Sequence, residues 1–382
     1  MAQCTLQWQT GGSVPGVNNA GNLLDMTRWD PDGTGPLAER LVFTGYFAAA
    51  GNTPAQNIVA FDPATSAWTS FGTGISGTLE AAIAEPGGGL VVGGTFTSAG
   101  GVAASNIARW NGTSWQALGS GINGLVLALA AMPNGDMIAG GQFTTAGGQA
   151  IANLARWNGS QWSALGGAVN GTVWSLAVLP GGDLIAGGNF TQINGQAVDY
   201  VGRWDGTAWY PMGIGTWGLT RALTVGPNGE VCANRSLLNG GFHVAQWTGT
   251  LWQSLGQAYG DVYDLGFDGQ GTLHAAGSFT SLAGVPATAL ARHTNGQWQA
   301  IPVGAATVVN HLECWSNGNV FVGGPFLAIG STTANGVARW DGSTWHALAV
   351  GTQGWAVNAM HERSNGDLVV GGIFNQIGGV HA

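Results

Sequence analysis

Asp264 and His311 are the acid–base pair this sequence offers first. The chain repeats with a period near 47 residues, and on that count the two fall in one column of neighbouring copies. Side chains from adjacent copies are expected to hydrogen-bond across a central channel, as proton transfer or a static tie requires. Glu313 and His361 share the next-but-one column and read the same way. Other chemistry is excluded by residue type. All ten basic residues are arginine, so neither a Schiff-base lysine nor a lysine general base exists. Cys4, Cys232 and Cys314 are odd in number and far apart, without metal-ligand spacing, and leave the redox compartment open. No HExxH, P-loop or G-x-S-x-G pattern occurs. "DPDGTG", Asp30 to Gly35, resembles part of a calcium loop, but Asp, Pro and Gly are turn formers in any case. The expectation is no metal and no cofactor.

A second set of residues suits recognition. Aligned on the repeat, one column reads Glu80, Leu127, Trp174, Arg221, Tyr263, Asn310 and Asn358, while the position two residues further on stays apolar. In the preceding loop, Ser76, Asn123 and Asn170 give way to Trp217 and Tyr259. A column free to be Glu, Trp, Arg or Tyr does not belong to tight core and is expected at a channel mouth. Trp174, Trp217, Arg221, Tyr259, Asp261, Tyr263, Asp264 and His311 are therefore the candidate ligand-binding residues. Flat rings beside a few polar groups suit a sugar, and they equally suit a protein loop. Side chains that merely plug a wide channel are the competing reading.

The elements that position these residues follow from the repeat. Phe96, Phe143 and Phe190 each follow a double glycine or its equivalent 47 residues apart, and Phe47, Leu237, Phe279, Phe326 and Phe374 extend the series to eight copies. A tryptophan keeps the same count at Trp8, Trp68, Trp115, Trp162, Trp209, Trp252, Trp298 and Trp345. Within Leu125 to Gly171, "LVLALAAM", "MIAGGQF", "NLARW" and "SQWSAL" read as four short strands joined by turn residues. The Asn-Gly pair between the last two predicts a tight hairpin turn, and the two tryptophans flanking it should pack between neighbouring sheets. Recurrent arginines at 109, 156, 203, 292 and 339 are expected to pair locally with backbone carbonyls.

Four strands per 40–50 residues describe the blade of a β-propeller. The apolar run ending in a double glycine, the aromatic that closes its strand and the Trp after a turn resemble the kelch repeat, as in "NIVAFDPATSAWTSFG". The resemblance covers essentially the whole chain and implies fold more than activity. Kelch-like propellers include protein-binding modules, sugar-binding proteins and a copper oxidase, whose Tyr, His and Cys ligand cluster has no match here.

The expectation is thus an all-β chain forming one domain over residues 1–382, an eight-bladed propeller with blades starting near 20, 78, 125, 172, 219, 261, 308 and 356. Residues 1–12, carrying Trp8, would add a strand to the last blade and close the ring; the alternative is a natural chain that continues beyond Ala382. A net charge of −9 with singly scattered arginines speaks against nucleic acid, and no apolar run is long enough to span a membrane. The function expected is a non-catalytic module that binds a glycan or protein, secreted or on the cell surface with its signal outside this sequence. The alternative is a polysaccharide lyase or hydrolase using the Asp264–His311 side of the same face.

Overall fold

The computed structural model describes residues 23–381 apart from 34, 36, 38–39, 46–47, 51–52, 63–66, 86, 214–216, 238–241, 305–307, 315–317, 327, 335–336, 348–351, 363–367 and 378–379. The described residues are all-β, without helix. Seven sheets each contain an antiparallel four-stranded path whose strands sit side by side in chain order, with a short hairpin between the second and third in most of them. In the third, Leu125–Ala131, Met137–Gln142, Leu154–Trp157 and Trp162–Ala164 follow in that order. An eighth sheet holds Thr352–Glu362, Leu368–Ile377 and Val380–His381. The junction expected between Trp8 and this last sheet lies outside the described residues.

The inner strands of successive sheets pack beside one another, from Leu23–Trp29 through Ile75–Ala84, Leu125–Ala131, Val173–Val178, Trp217–Val225, Val262–Phe267 and His311–Cys314 to Thr352–Glu362. Thr352–Glu362 also lies beside Leu23–Trp29. The apolar core sits between sheet faces: Ala81, Val91 and Ile107 of the second sheet pack with Val126, Leu129 and Trp162 of the third.

The paired tryptophans tie these faces together. Trp162 is 2% exposed, packs 5.3 Å from Trp157, and donates its indole N–H to the Leu118 carbonyl of the preceding sheet at 2.7 Å. Trp115 reaches Phe71, Trp209 reaches Leu165 and Trp298 reaches Leu255 in the same way. The hairpin turn differs from expectation. Trp110 pairs with Trp115, and Asn111 N–H bonds to Ser114 O, which leaves Gly112 and Thr113 as the two central residues. Asn111 stands one place earlier because its Oδ1 accepts the N–H groups of Thr113 and Ser114. The arginines also differ: Arg156 pairs with Asp136 at 2.7 Å, Arg203 with Asp183 at 2.9 Å, and Arg109 with Glu85. A carboxylate in the first turn of the same sheet outcompetes a backbone carbonyl because it carries a full opposite charge.

Candidate functional site

The variable column sits on a β-bulge. In the inner strands, ladder pairing skips one residue between Leu79 and Ala81, Val126 and Ala128, Val173 and Ser175, and Val262 and Asp264. The skipped residues are Glu80, Leu127, Trp174 and Tyr263. A bulged residue has no ladder partner and its side chain is re-aimed relative to the strand, so the position imposes little on side-chain type. In the second to fourth sheets the double glycine opposite makes room for this, and in the sixth Ala276 and Gly277 take its place. A Cβ on Gly141 would lie 2.0 Å from the carbonyl oxygen of Leu125, and one on Gly140 would lie 2.7 Å from Val173 of the next sheet.

The fifth sheet breaks that pattern. Asn234 and Arg235 occupy the glycine positions, both 1% exposed, and Arg221 and Ala222 together face Asn234. Asn234 Oδ1 accepts the N–H groups of Arg221 (3.2 Å) and Ala222 (2.8 Å), and its Nδ2 donates to the Val262 carbonyl of the sixth sheet at 2.6 Å. One side chain thereby fixes the bulge that carries Arg221. Arg235 donates to the Asp199 carbonyl at 3.3 Å and lies over the Trp252 ring; burial, opposed by Asp199, brings its guanidinium down to about 10.

Among the sequence-predicted residues, Trp174 and Arg221 meet: the guanidinium carbon lies 5.5 Å from the indole centroid, with Trp174 half-buried and Arg221 exposed. Such a contact contributes on the order of 0.5–1 kcal/mol at an exposed site. Asp264 and His311 also meet, with Nδ1 2.8 Å from Oδ2. The same carboxylate accepts Leu312 N–H at 3.0 Å through Oδ2 and Leu265 N–H at 2.8 Å through Oδ1. It therefore laces the inner strands of the sixth and seventh sheets together. Tyr259, Asp261 and Tyr263 run from the outer strand Trp252–Tyr259 into the inner strand Val262–Phe267, with all three exposed, Tyr259 at 77% and Tyr263 at 45%. Trp217 opens the strand Trp217–Val225 opposite Leu237, and its ring lies outside the described residues.

The counterparts of Tyr259 explain what its position does elsewhere. Asn123 Oδ1 accepts Thr144 and Thr145 N–H at 2.9 and 2.8 Å, and its Nδ2 donates to Thr144 Oγ1 at 2.8 Å. Asn170 makes the same three bonds to Thr191 and Gln192, and Ser76 bonds to Ser98. These side chains anchor each loop to the hairpin of the following sheet. At Tyr259 the main chain takes over, with Thr280 N–H donating to the Tyr259 carbonyl at 2.9 Å. The tyrosine ring is released from that duty and stands in solvent.

Sequence reasoning missed Asn234, whose signal was "NRSL" where most other copies write two glycines and none lacks both. Glu80 shares the bulge column, and burial raises its carboxyl above the usual carboxylate range. Cys232 is pushed up to about 12, first by burial and then by Glu230, and Cys314 well above its ordinary value, first by burial. Both thiols are therefore protonated and poor nucleophiles at neutral pH. Among the described residues no three His, Cys, Asp or Glu side chains converge as metal ligands, and no helix is long and apolar enough to cross a membrane.

No protein-family model matches the chain, and no curated protein matches it. Solved structures do. The Dos1 propeller is similar over 92% of this chain and 93% of its own, at 11% identity and a TM-score of 0.50. YCF48 bound to D1 peptide matches 74% of this chain and 86% of its own, at 15% identity and a TM-score of 0.46. The WD40 propeller domain of Doa1 matches 87% and 96%, at 15% identity and a TM-score of 0.38. The antiparallel sheets packed side by side, together with the likeness to the Dos1 propeller, make the fold of this chain a β-propeller.

Proposed function

We propose that the chain is a single kelch-like propeller of eight blades whose channel-mouth face binds a glycan or protein ligand without transforming it. Eight inner strands in sequence, with the last lying beside the first, support the ring. Closure by residues 1–12 on the blade that holds Phe374 completes it, and deleting those residues should lower the melting temperature sharply. An unchanged melt counts against this closure.

The binding reading rests on Tyr259. Where sibling loops use an asparagine to hold the next hairpin, this one carries a ring that is 77% exposed and that the main-chain bond has made dispensable to the scaffold. Apolar surface kept in water without a structural task marks an interaction site. Tyr263, Trp174 and Arg221 continue that surface along the bulge column of the fourth to sixth blades, with Asp261 beside them. Trp217 belongs to the same proposal by its place in the sequence. The enzyme alternative is weaker, because Asp264 is committed to two backbone N–H groups besides His311. A secreted or cell-surface location suits such a module.

The test is a glycan array and a peptide array probed with the protein and with its Tyr259→Ala/Tyr263→Ala variant. Ligands that saturate the protein, yield no product and are lost in the variant support the reading. Ligands held equally by the variant refute it.

A further inference from the structure

We infer that the mouth reads a carboxylate, and that its ligand is a uronate-bearing glycan whose acid group pairs with Arg221 while its sugar rings lie against the neighbouring aromatics. The inference rests on the binding role proposed for this face. It starts from how the arginines are used. Arg109, Arg156 and Arg203 are paired with carboxylates, Arg292 and Arg339 bond to the side-chain amides of Gln299 and Asn319, Arg235 is buried, Arg40 is half-buried, and the side chains of Arg28 and Arg363 lie outside the described residues. Arg221 is exposed and forms no ion pair among the described residues. The chain has no lysine that could serve in its place.

Its guanidinium is also pre-positioned. The guanidinium carbon lies over the Trp174 ring, 5.5 Å from its centroid, and Asn234 fixes the backbone that carries Arg221. A planar fork held this way matches a carboxylate with two parallel hydrogen bonds. Tyr263, on the equivalent bulge of the next blade, and Tyr259 on the rim offer ring faces of the kind that stack on a pyranose. Asp261 is exposed between them and can accept from sugar hydroxyls.

Charge narrows the class further. The net charge of −9 and the carboxylates of Glu80, Asp261 and Asp264 near this column disfavour a densely charged sulfated or phosphorylated polymer. A sugar with one carboxylate per ring needs one guanidinium at a time, which is what this face presents. A peptide ending in a free carboxylate could use the same arginine, but a glycan chain also repeats at regular spacing the apolar C–H faces that two exposed tyrosine rings can stack on.

The experiment is calorimetric titration of the full chain with galacturonate and glucuronate tetrasaccharides, their methyl esters, a neutral tetrasaccharide and a peptide with a free C-terminus. At least one uronate should bind saturably. Its methyl ester should bind about ten- to a hundredfold more weakly, as expected for loss of a charge-assisted pair. Arg221→Gln should weaken the free acid by a similar factor and leave the ester nearly unchanged, and Arg221→Lys should recover only part of the loss. Tyr259→Ala should weaken acid and ester alike. Equal binding of acid, ester and neutral sugar overturns the carboxylate assignment, and if Tyr259→Ala still weakens all three, the mouth remains the binding face. Binding of the peptide alone overturns the sugar class, and no binding of any sugar overturns the inference outright. The ester comparison uses the unaltered protein, so it stands even if a variant folds poorly.

Discussion

Tyr259→Asn installs at one loop the asparagine that two sibling loops carry at Asn123 and Asn170, and separates a scaffold role from a binding role. The ring is 77% exposed, so removing it forfeits about a quarter of the ~1.5–3 kcal/mol that full burial of a large apolar side chain contributes, or roughly 0.5 kcal/mol. The new amide can reach Thr280 as Asn123 reaches Thr144, at about 0.5–1.5 kcal/mol net for each hydrogen bond. Thr280 N–H already bonds to the Tyr259 carbonyl, so the gain is limited to the remaining donors. The sum is a stability change between about −0.5 and +1 kcal/mol, read from urea unfolding followed by tryptophan fluorescence. Ligand affinity should fall in the same variant, a trade of function against stability common at binding sites. A loss above about 1.5 kcal/mol would show that the ring supports the fold and is not a side chain released from it.

Trp162→Ala should behave oppositely, losing about 3–5 kcal/mol in the same assay, because a buried ring and its bond to the preceding sheet are removed together; a loss below 1 kcal/mol would contradict the inter-sheet tie. Asn234→Ala should cost about 2–4 kcal/mol by stranding two backbone N–H groups and the Val262 carbonyl. Hydrogen exchange at the Arg221 and Ala222 amides should accelerate, and unchanged exchange would refute that role. Glu80→Gln probes pH: burial raises the native carboxyl above its ordinary 4.5, so the native state holds the proton more tightly and stability falls as pH rises through that range. The variant should therefore melt higher than the parent at pH 7 and equally at pH 3, and a lower melt at pH 7 would show that the carboxylate has a favourable partner.

The repeat was legible because its markers are chemically unambiguous: a double glycine that admits a neighbouring strand, an aromatic that closes it, and a tryptophan whose N–H crosses to the preceding sheet. The variable column was also visible, but not its cause, since a bulge depends on register and leaves no residue signature of its own. Partners that are distant in sequence escaped notice. Asn123 and Asn170 looked like ordinary loop residues because their bonds run 21 and 22 residues onward to the next hairpin. The arginine partners Glu85, Asp136 and Asp183 lay in turns, where Asp is common for local reasons. Asp264 and His311 were paired correctly by column, whereas the backbone bonds that occupy Asp264 depend on the neighbouring strand's height and required the structure.

A ligand bound at Tyr259, Tyr263 and Arg221 should shield the backbone that carries them. Hydrogen–deuterium exchange with and without the strongest array ligand tests it most directly, since it maps contact along the backbone of the unaltered protein. Protection is expected in the segments that include Tyr259–Leu265 and Thr220–Leu223, and none in the opposite turns around Pro133–Asp136 and Asn158–Gln161. Protection confined to those opposite turns, or spread along the outer strands, would contradict it.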